Sequence, residues 1–276
     1  MPGCCTRSGS PFPPNTRELQ CDEKWSFVYK KQKHCDPTDP ADHCKGDCWD
    51  HLLFDPEHKL VLEVIVGHRN NSAALELLQI AKTKVRKLPP APRRKRRQRR
   101  RVGASTLRRR KRTLLLATDG YPAYPRAVQL VFGSPPPPGL GYAIVQKQKD
   151  EQGHVIAVDR KCVCGTQRSI ERTLSNSPVS STINTAFIER HNATDRHRNA
   201  RKIRRTYRFS KDWQMHQAVT YLIEYTYNFC CPVQTLRQKR SDGTFRPRTP
   251  AMSAKLTDHI WSLDEWLHKT VTGLPN

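Results

Sequence analysis

Leu19-Gln-Cys-Asp-Glu-Lys-Trp-Ser-Phe-Val-Tyr29 alternates along its length. Leu19, Cys21, Trp25, Phe27 and Tyr29 fall on one face, and Gln20, Asp22, Lys24 and Ser26 on the other. Successive side chains of a strand point to opposite faces, so the stretch predicts a strand with Asp22 directed away from the aromatic side. Downstream, Trp49–Phe54 and Lys59–Val66 flank the turn residues Asp55-Pro56-Glu57-His58 and predict two more strands. Residues 60–66, Leu-Val-Leu-Glu-Val-Ile-Val, are almost wholly apolar and belong in the middle of a sheet.

Further along, Asn71 or Ser72 is placed to cap a helix running to about Lys84, with Leu75, Leu78, Ile80 and Ala81 facing inward. Leu114–Thr118 predicts a short buried strand ended by Asp119-Gly120, and Ala123–Phe132 a helix broken by Pro135–Pro138. Tyr142–Lys147 and His154–Cys162 predict a hairpin around Asp150–Gly153. After a Ser-rich linker, Ile183–Arg196 is helix-compatible. Ser210 is then expected to cap a long helix to about Asn228, burying Trp213, Ala218, Leu222, Tyr225 and Phe229. A short amphipathic piece, Ile260–Leu267, ends the pattern. Three strands, helix, strand, helix, further strand and helix is the ribonuclease H-like order. It predicts an α/β fold with a mixed five-stranded sheet flanked by helices and a C-terminal helical extension. The expected division is a disordered leader at 1–18, a catalytic domain at 19–230 with a basic disordered insertion at 84–112, and a tail with a short helix at 231–276.

Charge narrows the function classes. The chain has 276 residues, 49 Lys or Arg against 25 acids, and a net charge of +24, which points to a nucleic-acid partner. The excess is uneven: residues 84–112 hold 16 Lys or Arg and no acid. No apolar run approaches the ~20 residues that span a bilayer, and Met1–Pro14 has no hydrophobic stretch of a signal peptide. A membrane partner is therefore not expected; a cytoplasmic, nucleoid-associated location is. The ten cysteines form no disulfide-scaffold pattern and suit a reducing compartment.

Three carboxylates carry the candidate chemistry. Asp22 lies on the first predicted strand, Asp119 at the carboxyl end of the fourth, and Glu189 on the late helix. Sites in α/β sheets form at the carboxyl ends of strands. Three acids gathered there make a hard-oxygen donor set for two Mg²⁺ ions, with Mn²⁺ as the substitute. The matching reactions are phosphodiester hydrolysis and transesterification. Each acid also has a plainer role open to it: strand-end acid, turn aspartate, helix-surface glutamate. Asp47, Asp50 and Asp55 are rival acids, assigned to a loop and a turn. The cations after Glu189, namely Arg190, Arg196, Arg201, Lys202, Arg204 and Arg205, are expected to face DNA phosphates rather than only solvent.

Beyond spacing, the blocks themselves are informative. Asp22-Glu-Lys-Trp-Ser-Phe-Val28, Thr118-Asp-Gly-Tyr-Pro-Ala-Tyr124, Asn184-Thr-Ala-Phe-Ile-Glu-Arg-His-Asn192 and Arg204-Arg-Thr-Tyr-Arg-Phe-Ser-Lys211 resemble, in order, blocks of the DDE transposases of the insertion-sequence-one type. Tyr227-Asn228, Pro232, Leu236 and Arg248-Thr-Pro-Ala-Met252 resemble the same group's C-terminal signatures. The similarity runs over about residues 19–267, apart from the basic segment. It implies a ribonuclease H-like fold, Asp22, Asp119 and Glu189 as the catalytic and metal-binding triad, Mg²⁺, and strand transfer of terminal inverted repeats into target DNA by a homodimer or larger assembly. It also gives Arg196 a DNA-contacting role. Members of this group usually carry a zinc ribbon and a helix-turn-helix ahead of the catalytic domain. With 21 residues before Asp22, end recognition is expected to be missing here or encoded in a separate reading frame. The rival class is an inactive or co-opted basic nucleic-acid-binding remnant; a nuclease of the same fold is a third.

Two features stand outside this scheme. Arg93–Arg101 suits a sequence-independent phosphate clamp or an unstructured insertion equally, and resembles a nuclear import signal less well. His34, Cys35, His43, Cys44, Cys48 and His51 cluster without any standard zinc-ligand spacing and are expected to be a polar insertion with free thiols.

Overall fold

The computed structural model describes residues 16–84, 113–203 and 205–272, so the leader up to residue 15, the basic segment at 85–112 and Arg204 lie outside the described residues. Six strands build one sheet: β1 (Glu18–Val28), β2 (Gly46–Asp55), β3 (Leu60–Gly67), β4 (Leu114–Thr118), β5 (Leu140–Lys149) and β6 (Val155–Cys164), in the order β3-β2-β1-β4-β5-β6. Strands β1, β4 and β5 run parallel, while β2, β3 and β6 pair antiparallel with their neighbours. The expected count of five is thus corrected to six. The hairpin keeps its pairing from Tyr142↔Cys164 to Lys149↔Val155, closed by the Asp150 carboxylate accepting from His154 N at 2.7 Å.

The leader boundary also moves. Glu18 already belongs to β1, the Thr16 hydroxyl donates to Asp55, and Arg17 donates to Glu57 from its backbone at 2.9 Å and its guanidinium at 2.8 Å.

One face of the sheet is conventional. Helices α1 (Asn71–Lys84) and α2 (Ala123–Phe132) cover it, and Leu19, Cys21, Leu53, Leu62, Leu77, Leu78, Leu116, Tyr124 and Tyr142 form its core. The α1 cap is Asn70, whose side-chain oxygen accepts from Ala73 N at 2.9 Å, one residue ahead of the expected Asn71. Leu77 and Leu78 are fully buried, and emptying either site by truncation to Ala costs about 2–5 kcal/mol.

Against the opposite face pack α3 (Gln167–Ser175), α4 (Ala186–Arg198) and α5 (Trp213–Cys230). Here the polar side of β1 is not a solvent face: Gln20, Lys24 and Ser26 are as buried as Leu19. Helix α4 runs alongside β1 in the same direction, and α4, the residues just before it, α5 and β2 supply their partners. Gln20 donates to the Asn184 carbonyl and accepts from Ile188 N, each at 2.9 Å. Lys24 pairs with Asp195, and with Asp50 and Glu224 at 3.2 Å each. Ser26 Oγ lies 3.1 Å from His216 Nε2. A buried ammonium is tolerable only when paired and hydrogen-bonded, and three carboxylates supply that.

This polar seam explains why the predicted buried side of α5 holds only in part: Trp213 and Tyr225 pack half-buried against the core, but the fully buried positions lie elsewhere. Its buried residues are His216, Thr220, Glu224, Tyr227 and Asn228, while Ala218 and Leu222 are exposed. The sheet beneath presents charge, so the helix turns its polar side to it. Its cap is Asp212, accepting from Met215 N at 2.7 Å, rather than Ser210. The Ser-rich stretch conceals α3, which Thr166 caps and whose Ile170 packs on Leu115, Ala143 and Val145.

The tail contains a two-stranded ribbon, β7 (Gln238–Lys239) with β8 (Phe245–Arg246), and helices α6 (Pro250–Ser253) and α7 (Leu263–Thr272). The predicted helix at Ile260 therefore begins at Leu263; Trp261 instead packs on Phe229 of α5, ring centroids 4.5 Å apart. No described helix is long and apolar enough to cross a membrane.

Candidate active site

Parallel pairing brings the first two acids side by side. Cys21 of β1 is in register with Thr118 of β4, so the next residues, Asp22 and Asp119, leave the same level of the sheet. Glu189 arrives on the first turn of α4, which the Gln20 side chain anchors at Ile188. All three line one cleft of about 620 Å³ with Thr185, Val145, Gln146, Lys147, Gln148, Lys149 and Asp159. Strand β5 supplies the far wall: past the buried Ala143 and Val145, alternation carries Lys147 and Lys149 onto the same side.

Each acid is held differently. Asp22 accepts from Glu23 N at 2.9 Å and from Asn192 Nδ2 at 2.8 Å. Asp119 accepts from Tyr121 N at 3.0 Å, and its other oxygen lies 4.0 Å from the Arg69 guanidinium. That guanidinium is stacked between Trp49 and Tyr121, 4.6 and 4.1 Å from the ring centroids, and donates to Glu23 at 3.0 Å. Glu189 accepts from Thr185 Oγ1 at 2.6 Å and from Lys147 on its second oxygen. The Lys147–Glu189 pair is about one-third exposed on each side, which limits its contribution to roughly 0–1 kcal/mol.

Burial and the mutual proximity of the acids raise the carboxyls of Asp22 and Asp119. Burial, then the charges of Asp119, Glu23 and Glu189, push the Asp22 carboxyl up to about 7. Asp119 is raised as well, chiefly by burial, with Glu189 adding to it and Arg69 opposing. Hard carboxylate oxygens crowded at one sheet end fit the donor preference of Mg²⁺. As the side chains stand, however, no group of three or more His, Cys, Asp or Glu residues among the described residues is placed to hold a metal ion. The residue types fit such an ion; both oxygens of Asp22 and of Glu189 accept hydrogen bonds, and of these partners only Lys147 carries a charge that a metal ion on the same carboxylate would oppose.

The expected DNA-facing cations divide. Arg190 and Arg205 are exposed; Arg196 and Arg201 are half-buried; Arg204 lies outside the described residues. Lys202 is a correction: it is buried and paired with Asp50, so it belongs to the polar seam and not to the surface. The rival acids are all on β2, not in a loop and turn. Asp50 serves Lys24 and Lys202, Asp55 holds Thr16 and His58, and Asp47 accepts from Gln32 N at 3.1 Å. Of the Cys/His cluster, Cys48 and His51 are buried on β2 while Cys44 is exposed, and the eight described cysteines are free thiols.

Lys147, Thr185, Asn192 and Arg69 were not among the sequence candidates. Asn192 carried a signal, since i,i+3 spacing from Glu189 places it on the same helix face. Lys147 followed only from the strand alternation that also buries Val145. Compared with known proteins, the chain matches no family model and no curated protein.

Proposed function

We propose that this chain is the catalytic domain of a DNA transposase of the DDE type, ribonuclease H-like in fold, that cleaves and joins phosphodiesters at the ends of its own insertion element. The observation that carries the proposal is the convergence of Asp22, Asp119 and Glu189, separated by 97 and 70 residues, on one cleft at the carboxyl end of β4. Asp22, Asp119 and Glu189 would hold Mg²⁺ or Mn²⁺, which supplies Lewis acidity toward phosphate oxygens. The remaining work falls to the chain's own groups. Asn192 and the Glu23 N–H orient Asp22, and the Tyr121 N–H orients Asp119. Arg190, Arg196, Arg201 and Arg205 would set the backbone of terminal-repeat and target DNA against the cleft, in a homodimer or larger assembly on DNA.

The test is nicking and strand joining on an element-end duplex with Mg²⁺. Asp119→Ala and Glu189→Gln should each abolish both steps while leaving DNA binding in place; persistence of either step in both variants rejects the proposal. A second reading, a nucleic-acid-binding remnant without chemistry, draws on the engagement of Glu189 by Lys147. It predicts DNA binding with no divalent-dependent cleavage in the unaltered chain.

A further inference from the structure

Lys147 is unlike the other lysines that meet acids on this face of the sheet. Lys24 and Lys202 are fully buried, Lys24 among three carboxylates and Lys202 on Asp50. Lys147 is one-third exposed, meets Glu189 alone, and stands on the wall of the cleft. The more strongly repelled pair, Asp22 and Asp119, has no ammonium on it; its nearest cation is Arg69, 4.0 Å from Asp119. Of the three acids of the cleft, Glu189 alone thus carries a lysine counter-ion, and that lysine is partly exposed and tethered to the cleft wall.

Resting on the metal-site reading above, we propose that Lys147 is a displaceable counter-ion with two alternative partners. In the metal-free chain it neutralises Glu189. A divalent cation held by Glu189 would weaken the hold on the ammonium, because the carboxylate charge that attracts Lys147 would be offset and the two cations would repel each other at close range. The released ammonium stays tethered to β5, within the cleft, where a phosphate of a nucleic-acid strand must lie to reach Asp22 and Asp119. A lysine ammonium, a compact charge with three donors, suits that phosphate. Metal and nucleic acid then favour each other's binding, and by linkage the effect is reciprocal. No bond is made or broken in this exchange; only ion pairs change.

The experiment uses the full chain and its Lys147→Met variant. Mn²⁺ binding is followed by the loss of the free-ion electron paramagnetic resonance signal, without nucleic acid. Affinity for a labelled duplex is followed by anisotropy, with and without Ca²⁺ as a divalent ion chosen to hold back cleavage. Lys147→Met should bind Mn²⁺ about 5–10-fold more tightly, and the gain in duplex affinity produced by Ca²⁺ should shrink by a similar factor. Lys147→Arg should keep that gain. Unchanged or weaker Mn²⁺ binding by Lys147→Met, or an undiminished gain, overturns the role of Lys147. Asp119→Asn separates the two levels. If it abolishes Mn²⁺ binding while Lys147→Met shows no gain, only the Lys147 inference fails. If it binds Mn²⁺ as the unaltered chain does, or if none of the proteins binds it, the metal site fails and this inference with it.

Discussion

Asn192 Nδ2 lies 2.8 Å from Asp22 Oδ2, and one helical turn earlier on the same helix Glu189 enters the same cleft. A single side chain thereby ties the strand that carries one acid to the helix that carries another. Its contact is to the carboxylate itself, and with the Glu23 N–H on the other oxygen it fixes the orientation of Asp22.

Removing that tie should slow chemistry more than it weakens the fold. Asn192→Leu keeps the side-chain volume, removes the donor, and is expected to lower the nicking rate about 10–100-fold, as loss of an outer-shell partner does. Single-turnover rates at saturating Mg²⁺, beside near-ultraviolet circular dichroism to confirm packing, provide the check. A rate within a factor of two of the unaltered chain would remove Asn192 from the positioning of Asp22.

Asp22 should leave a pH signature on stability. Its carboxyl is raised to about 7 in the folded chain by burial and by Asp119, Glu23 and Glu189, against an unfolded value near 3.9. The folded state therefore holds a proton that the unfolded state has released, and stability falls as pH rises from about 4 through 7. Asp22→Asn, permanently neutral, should match the unaltered chain below about pH 4 and exceed it in melting temperature increasingly up to pH 8. Added Mg²⁺ should narrow the gap at pH 8. Melting curves of both proteins across this range give the answer; a constant difference contradicts the prediction.

Lys24 should be the most sensitive charged position. Lys24→Met leaves Asp50, Asp195 and Glu224 buried with one compensating cation fewer. The expected loss is about 3–5 kcal/mol in urea unfolding. Replacing Glu224 with Gln in the same chain should recover part of it, since the two changes share one network.

The surface and buried cations should separate in a salt titration of DNA binding. Arg190→Ala and Arg205→Ala should each lower affinity and reduce the slope of log affinity against log salt by about one unit. Lys202→Ala should leave the slope unchanged while destabilising the fold, because its ammonium pairs with buried Asp50. A reduced slope for Lys202→Ala would return that residue to the DNA-facing surface.

Much of the sheet was legible in the chain. The bounds of β4 and α2 match the sequence expectation because each is set by local signals: a run of apolar residues closed by Asp119-Gly120, and an amphipathic stretch broken by Pro135–Pro138. The elements that carry the three acids were also legible: Asp22 lies within β1, Asp119 directly after β4 and Glu189 in the first turn of α4. What stayed hidden shares one cause. Inward faces were inferred from apolar residues, and the seam between β1, α4 and α5 is lined with Lys24, Asp195, His191 and Glu224. Hydrophobic periodicity has no signal there, so the buried side of α5 was misjudged in part and Lys202 was assigned to a DNA-facing surface. Helix α3 was hidden for a related reason, burying only Ile170 and Thr173 of its nine residues.

The ionic seam also bears on how this protein can vary. Two greasy surfaces slide past each other in small increments, each offset nearly as good as the last. Lys24 on Asp195, Glu224 on His191 and Asp22 on Asn192 act instead as a keyed joint, with one seating and steep walls around it. Sequence drift on the outer side of α4 would leave this joint seated, whatever it did to Arg190, whereas a one-residue insertion within the helix would unseat every tooth of the key at once. The reach of Glu189 toward Asp22 and Asp119 is in that sense indexed rather than tuned.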